Sequence, residues 1–279
     1  MDKKIALITI HGMGDTERDY YTGFYDQMKK SLGDQLWHQV IFKPLYYQDI
    51  LQGQQEAVLG RMRDQVDWIK LRRFLLYGFS DAASLEYKKR VKNSPYYLTQ
   101  KMIMQAMDEI FDETATRSVP VIVVGNSLGC QVISSYIWDA QRIDASVGVW
   151  SMERDDEVAD GSPRDQFRRM KSLKRFYTLG CNIPIFVAGH KNIEAIKPPT
   201  PDFKWHNFYD KDDVLGWPLQ SLSQSYEKLV EDIQINVGRG LFSKIFKSWN
   251  PLSHDQYWQD KKVISNIAVN MKKIINTST

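Results

Sequence analysis

The sequence predicts an α/β fold, a mainly parallel sheet with helices packed on both faces, and three observations predict it. Short apolar runs rich in β-branched residues (Ile5 to Ile10, Val119 to Val124) read as buried strands, and Leu173 to Leu179 reads as another strand. Between them lie stretches whose apolar residues recur at helical spacing, such as Val132, Ile133, Tyr136 and Ile137. Strands alternating with helices imply parallel pairing with crossover helices. Two of the strands also run into glycine-bearing turns, His11-Gly12-Met13-Gly14 and Gly125-Asn126-Ser127-Leu128-Gly129.

In chain order, Ile5 to Ile10 is the first strand, Tyr20 to Leu32 a helix and Gln39 to Tyr46 the second strand. From Asp49 to about Lys92 the pattern turns helical and basic. Val58, Met62, Val66 and Ile69 form an apolar stripe among Arg61, Arg63, Asp64, Asp67 and Lys70. Arg72 to Tyr77 is more hydrophobic, and Lys88-Lys89-Arg90 is a basic knot. Leu98 to Ala115 is an amphipathic helix leading to the Val119 strand, and Cys130 to Gln141 is the helix beyond the glycine turn. Leu173 to Leu179 is the next strand and Phe203 to Tyr209 the last. Ser221 to Ile233 and Tyr257 to Ile275 read as helices. There are no repeats, and Lys197-Pro198-Pro199-Thr200-Pro201 reads as a surface turn, not a domain linker.

The chain's 279 residues suit a single α/β domain over 1–279. A net charge of +3 is too mild to imply a nucleic-acid partner. No run of about 18 apolar residues is present, so no transmembrane segment is expected. The start of the chain lacks the apolar core and cleavage site of a signal peptide, which makes the cytoplasm the expected location. Cys130 and Cys181, the only cysteines, sit in apolar surroundings and read as reduced thiols.

Gly125-Asn126-Ser127-Leu128-Gly129 carries most of the chemical information. A serine at a sharp strand-to-helix turn, with glycine two residues to either side, is a G-x-S-x-G nucleophile elbow. The turn forces the serine into strained dihedrals, and close backbones leave no room for a Cβ at the flanking glycines. A serine hydroxyl is a poor nucleophile at neutral pH, so it requires a base, an orienter for that base and donors for an oxyanion. Of five histidines, His11 belongs to the first turn, His38 precedes the second strand and His206 lies inside a strand. His190 and His254 remain as candidate bases. His254, in the loop Pro251-Leu252-Ser253-His254-Asp255 before the final helix, has the position expected of the base. The acid is sought between serine and histidine, just past a strand. Asp213 is the first choice there and Asp210 the alternative. Asp210-Lys211-Asp212-Asp213 lacks the spacing and glutamate of a calcium loop, so no metal is expected. Leu128, opening its helix, and Met13, between Gly12 and Gly14, are the candidate oxyanion amides. A dinucleotide reading of Gly12-Met13-Gly14 is set aside because Glu17 stands where that pattern needs a small residue.

Taken in order, His11-Gly12-Met13-Gly14, Gly125 to Gly129 around Ser127, Asp213 and His254 before a final helix resemble the α/β-hydrolase superfamily, most of all its lipases and esterases. The resemblance spans nearly the whole chain. It implies Ser127 as nucleophile, His254 as general base then acid, Asp213 as orienter, and Met13 and Leu128 as oxyanion donors, with no cofactor. The implied activity is cleavage of small-molecule or lipid carboxylic esters through an acyl-enzyme. Thioesterase, amidase or acyltransferase chemistry on the same residues, or a scaffold that binds lipid or a partner without turnover, are the alternatives. The antiparallel N-terminal hairpin of larger members is missing from the pattern. A helical cap is expected at 49–98, where Trp68, Phe74, Leu75, Leu76, Tyr77 and Phe79 either line an acyl pocket or close the cap's own core. An insertion at 235–253 is expected to border the site, and within it 240–249 puts Phe242, Ile245, Phe246 and Trp249 on one helical face beside Lys244 and Lys247. That pattern suits peripheral membrane contact.

Overall fold

Alternation along two central strands sets the architecture. Ile5, Leu7, Ile122 and Val124 point into one apolar cluster, while Ala6, Ile8, Ile10, Val121 and Val123 point into another on the opposite face. A strand buried on both faces in this way needs helices above and below it. The computed structural model describes residues 2–14, 16–86, 89–142, 147–151, 157–237 and 256–277, and its strands are β1 (Ile5–Ile10), β2 (Val40–Leu45), β3 (Val121–Asn126), β4 (Leu173–Leu179), β5 (Lys204–Asp210) and β6 (Val230–Ile235). They form one sheet in the order β2-β1-β3-β4-β5-β6, every pairing parallel. The helices are α1 (Thr22–Leu32), α2 (Asp34–Trp37), α3 (Gln48–Met62), α4 (Ile69–Glu86), α5 (Pro95–Glu113), α6 (Leu128–Ala140), α7 (Pro163–Arg168), α8 (Ile183–Val187), α9 (Gln224–Leu229) and α10 (Lys261–Thr277). Phe24 and Met28 of α1 with Ile264, Ile267 and Met271 of α10 cover one face. Ile103, Met107 and Ile110 of α5 with Ile133 and Ile137 of α6 cover the other. The expected doubly covered parallel sheet is therefore the fold.

The order also locates the switch point of the sheet. From β1 the chain passes to β2 on one side and then to β3 on the other, so the direction of winding reverses between β1 and β3. Loops leaving the carboxyl ends of two such strands are where open α/β sheets build their sites. The two loops here are His11 to Gly14 and the Ser127 turn.

Two expectations are corrected. Ser221 to Ile233 is not one helix: α9 covers only Gln224–Leu229, and the chain then extends into β6, which pairs with β5 from Trp205↔Val230 to Asp210↔Ile235. Leu222, Tyr226, Leu229 and Ile233 are spaced as on a helix, which disguised the strand. As an edge strand bonded on one side only, β6 also carries Glu231, Asp232 and Gln234, so its apolar signal is weak. The last strand of the sheet is thus β6, not the one at Phe203 to Tyr209. The second correction concerns the stripe of Val58, Met62, Val66 and Ile69. The chain turns between Met62 and Ile69, with Trp68 at φ +61°, so the stripe does not continue across the break. Val58, Met62 and Ile69 are exposed, and Leu51, Leu59, Tyr77 and Leu85 are buried instead. α5 begins at Pro95, earlier than its apolar pattern, because Ser94 caps it by accepting the Tyr97 amide at 3.2 Å. Cys130 and Cys181 are both buried free thiols. No helix among the described residues is long and apolar enough to cross a membrane.

Candidate active site

Ser127 links β3 to α6 and adopts φ +49°, ψ −120°, a conformation that a residue with a Cβ holds only under strain. Tight packing enforces it. A Cβ on Gly125 would lie 3.1 Å from both the amide nitrogen and the Cα of Cys130. One on Gly129 would run into the His11 carbonyl oxygen and lie 2.8 Å from that of Ile10. Both glycines are thus required by backbone approach, as the pattern implied. Ser127 donates its own amide to the Leu179 carbonyl at 2.9 Å, which ties the turn to the end of β4. The side chain is buried, and its hydroxyl has no hydrogen-bond partner among the described residues.

Beside it stands the turn after β1. A Cβ on Gly12 would lie 2.8 Å from the Ser127 Cβ and 3.4 Å from its Oγ, so the Gly12 backbone sits directly against the serine. The Gly12 carbonyl accepts two hydrogen bonds, from His11 Nδ1 at 2.7 Å and from the Tyr47 hydroxyl at 2.9 Å. That carbonyl and the Met13 N–H belong to one trans peptide and point in opposite directions. Two donors on the oxygen therefore fix the plane and turn the Met13 N–H away from His11 and Tyr47. Leu128 opens α6, where the first N–H groups have no intrahelical acceptor. The turn and the elbow thus present the two backbone segments expected to hold an oxyanion.

His11 itself is a scaffold. Its Nε2 accepts the Tyr47 amide at 3.1 Å and its ring stacks on Tyr47 with centroids 4.2 Å apart. Burial lowers its pKa to about 4, so it stays neutral and both ring nitrogens are engaged. It cannot serve as the base. His206 is buried in β5 against Asn266 and Glu231, with its pKa lowered chiefly by burial, which fits a packed strand residue. His38 is exposed. His190 is also exposed and lines a groove of about 380 Å³ with Trp138, Arg142 and Phe186, whose lining does not include Ser127. His254, the segment 240–249 and most of the 235–253 insertion lie outside the described residues.

Both candidate acids follow β5 and both are buried. Asp210 has its oxygens taken by main chain: Oδ1 accepts the Asp212 amide at 3.0 Å and Oδ2 the Val237 amide at 2.7 Å, which ties the ends of β5 and β6 together. Asp213 accepts the Leu215 amide on Oδ1 at 3.0 Å and the Tyr257 hydroxyl on Oδ2 at 2.9 Å. Tyr257, in the turn before α10, bridges the two acids, since its oxygen also accepts the Asp210 amide at 2.9 Å. Burial and the Asp213 charge push the phenol pKa far up, so it remains a donor.

The sequence reading missed Tyr47, Tyr257 and a buried polar group from α3 and α4. Gln48 and Gln52 donate to the Gly14 carbonyl, the latter at 2.8 Å, and Gln55 donates to Asp81 Oδ1 at 2.6 Å. Glutamines at i, i+4 and i+7 on one helix face were the signal available for that group. The side chains expected in an acyl pocket or cap core divide: Trp68, Leu75 and Phe79 are exposed, while Tyr77 is buried and hydrogen-bonded to Glu56.

No family model and no curated protein matches the sequence. Solved structures of similar outline include fungal esterases from Rhizomucor miehei (10% identity, covering 100% of this chain and 77% of that chain, TM-score 0.49). A protein of unknown function from Agrobacterium tumefaciens (12%, 98% and 93%, TM-score 0.47) and the Bacillus cereus carboxylesterase (10%, 97% and 89%, TM-score 0.42) are others. None of these likenesses bears on what this chain binds or turns over.

Proposed function

Given the α/β-hydrolase fold of this chain, we propose that it is a serine hydrolase that cleaves carboxylic esters through an acyl-enzyme. The observation that carries the reading is Ser127: a buried hydroxyl on a strained turn, packed against a turn whose peptide plane is pinned from behind. Strain of this kind costs stability, and a site that needed only structure would relax it.

In the proposed reaction Ser127 Oγ attacks the acyl carbon as His254 takes its proton, forming the new C–O bond and a tetrahedral oxyanion. The Met13 and Leu128 amides hold that anion. His254 then gives the proton to the departing alkoxide, leaving acyl-Ser127 and an alcohol. Water, deprotonated by His254, releases the acid and restores the serine. Asp213 orients His254, with the Tyr257 and Leu215 donors stabilising its carboxylate; Asp210 serves the strand ends. The α3–α4 pair acts as the cap that selects the acyl group, and 240–249 as an edge of the site.

A fluorophosphonate should modify the folded protein once per chain, and peptide mass mapping should place the adduct on Ser127. A folded protein that resists labelling, or an adduct on another residue, would refute the assignment. The choice of acid is tested separately. Asp213→Asn should lower kcat by about 10³- to 10⁴-fold on p-nitrophenyl butyrate with little change in melting temperature. Asp210→Asn, which turns an NH₂ group toward one of two buried amides, should instead lose about 1–3 kcal/mol of stability and keep most of its turnover. The opposite pattern would exchange the two roles.

A further inference from the structure

We propose that the outer side of the α3–α4 pair docks this protein on an anionic lipid bilayer, with Trp68 entering the interface and the cations around it meeting the lipid head groups. The two helices are held side by side by contacts between distant residues. Tyr77 donates to Glu56, Arg73 pairs with the same carboxylate at 3.3 Å, and Gln55 donates to Asp81 at 2.6 Å. Gln52 donates to the Gly14 carbonyl at 2.8 Å and ties the pair to the turn after β1. What these contacts leave outside is apolar. Among the described residues, seven of the twelve exposed large apolar side chains fall within 58–79. Trp68, at the turn between the helices, is 78% exposed. Leu71, Leu75 and Phe79, the last 73% exposed, recur every fourth residue along one side of α4. Single exposed apolar side chains are ordinary, but a row of them beside a tryptophan marks a surface that something covers.

Charge identifies the cover. The stretch 58–79 holds Arg61, Arg63, Lys70, Arg72 and Arg73 against Asp64 and Asp67, so the chain's net charge of +3 resides in it and the remaining residues balance. A second copy of the chain fits poorly, because a symmetric contact sets the patch against itself, cations facing cations. The segment 240–249 fits no better, since Lys244 and Lys247 are its only charged residues. A nucleic acid would meet the cations but leave Leu71 and Leu75 unmatched. An anionic bilayer satisfies both halves. The apolar row enters the boundary between head groups and chains, the depth at which tryptophan is favoured, and the cations stay level with the phosphates. The proposal does not depend on turnover at Ser127. It has a consequence for the site all the same: a Cβ on Gly78 would lie 2.8 Å from the Met13 sulfur, so a docked α4 holds the turn after β1 beside the bilayer.

The test is flotation of the full chain with liposomes. The protein should bind vesicles of phosphatidylcholine containing about 30% phosphatidylserine at least about 10-fold more tightly than vesicles of phosphatidylcholine alone. Trp68→Ser combined with Phe79→Ser should weaken binding to the anionic vesicles by about 10-fold or more. Arg61→Gln combined with Lys70→Gln should weaken it by about 25-fold, roughly fivefold for each cation, and abolish the preference for phosphatidylserine. All four side chains are exposed, so both double variants should melt within about 2 °C of wild type. A wild type that does not float with anionic vesicles would overturn the proposal, as would unchanged binding in the two double variants. Loss of flotation in Phe246→Ser with Trp249→Ser, but not in Trp68→Ser with Phe79→Ser, would move the contact to 240–249. Without flotation, a dimer that Trp68→Ser splits would assign the patch to a second copy, and tight binding of an oligonucleotide would assign it to nucleic acid.

Discussion

Ser127→Ala is expected to lose about 10⁴- to 10⁶-fold in kcat/KM on activated esters while folding as the wild type does. The size follows from the role. Without Oγ no acyl-enzyme forms, and what remains is whatever the oxyanion amides contribute to attack by water. Ser127→Gly should be equally inactive, yet more stable. The serine holds φ +49°, and glycine adopts that region freely. Relief of strain on the order of 1–3 kcal/mol outweighs the roughly 0.5–1 kcal/mol of extra backbone entropy lost by glycine. The glycine variant should therefore melt about 2 °C above wild type, as a gain of about 1 kcal/mol implies for a chain of this size. Calorimetry and ester kinetics on the two variants check both halves. A glycine variant that melts lower would mean the turn is not strained, and an alanine variant that still turns over ester would remove Ser127 from the mechanism.

Gly129→Ala is expected to produce the largest loss of stability. Its new Cβ would meet the carbonyl oxygens of His11 and Ile10, which belong to β1 and its turn and cannot rotate aside as a side chain can. Either α6 shifts away from β1 or the β1 turn moves. We expect a loss of about 3 kcal/mol, the upper part of the overpacking range, and a fall of roughly 6–10 °C in melting temperature. Because the displaced atoms adjoin Gly12, turnover should fall as well. Gly125→Ala is the graded control: its contacts at 3.1 Å are tight without being impossible, so a loss of about 1–2 kcal/mol is expected. Equal effects at the two positions, or melting of Gly129→Ala within 2 °C of wild type, would contradict the close-approach explanation.

Much of the fold was legible because its strongest signals are local. β1 and β3 are wholly buried, so their sequences are continuous apolar runs, and β4 was read to the residue. The elbow was legible for a different reason: one backbone geometry admits very few residue types at three positions. β6 was illegible because half its surface is exposed and its apolar residues happen to follow a helical spacing; pairing with β5 decided its conformation. The stripe from Val58 to Ile69 misled for a related reason, since periodicity says that a face exists and not whether the chain turns partway along it.

The candidate site divides along the same line. Gly12, Gly125, Ser127 and Gly129 are set by close approach at the two turns, and their residue types announce those contacts. Tyr47, Gln48 and Tyr257 act from elements 35, 34 and 44 residues from the groups they hold, Gly12, Gly14 and Asp213. No local pattern marks them. By itself the sequence determined the doubly covered parallel sheet and the serine turn, because burial on two faces and a strained dihedral each restrict the residues allowed at a position. Only the tertiary structure decided which buried polar side chains grip the turn after β1 and which aspartate has main-chain partners on both oxygens. A hydrogen bond between distant segments depends on how helices pack against the sheet, and that placement leaves no period in the chain.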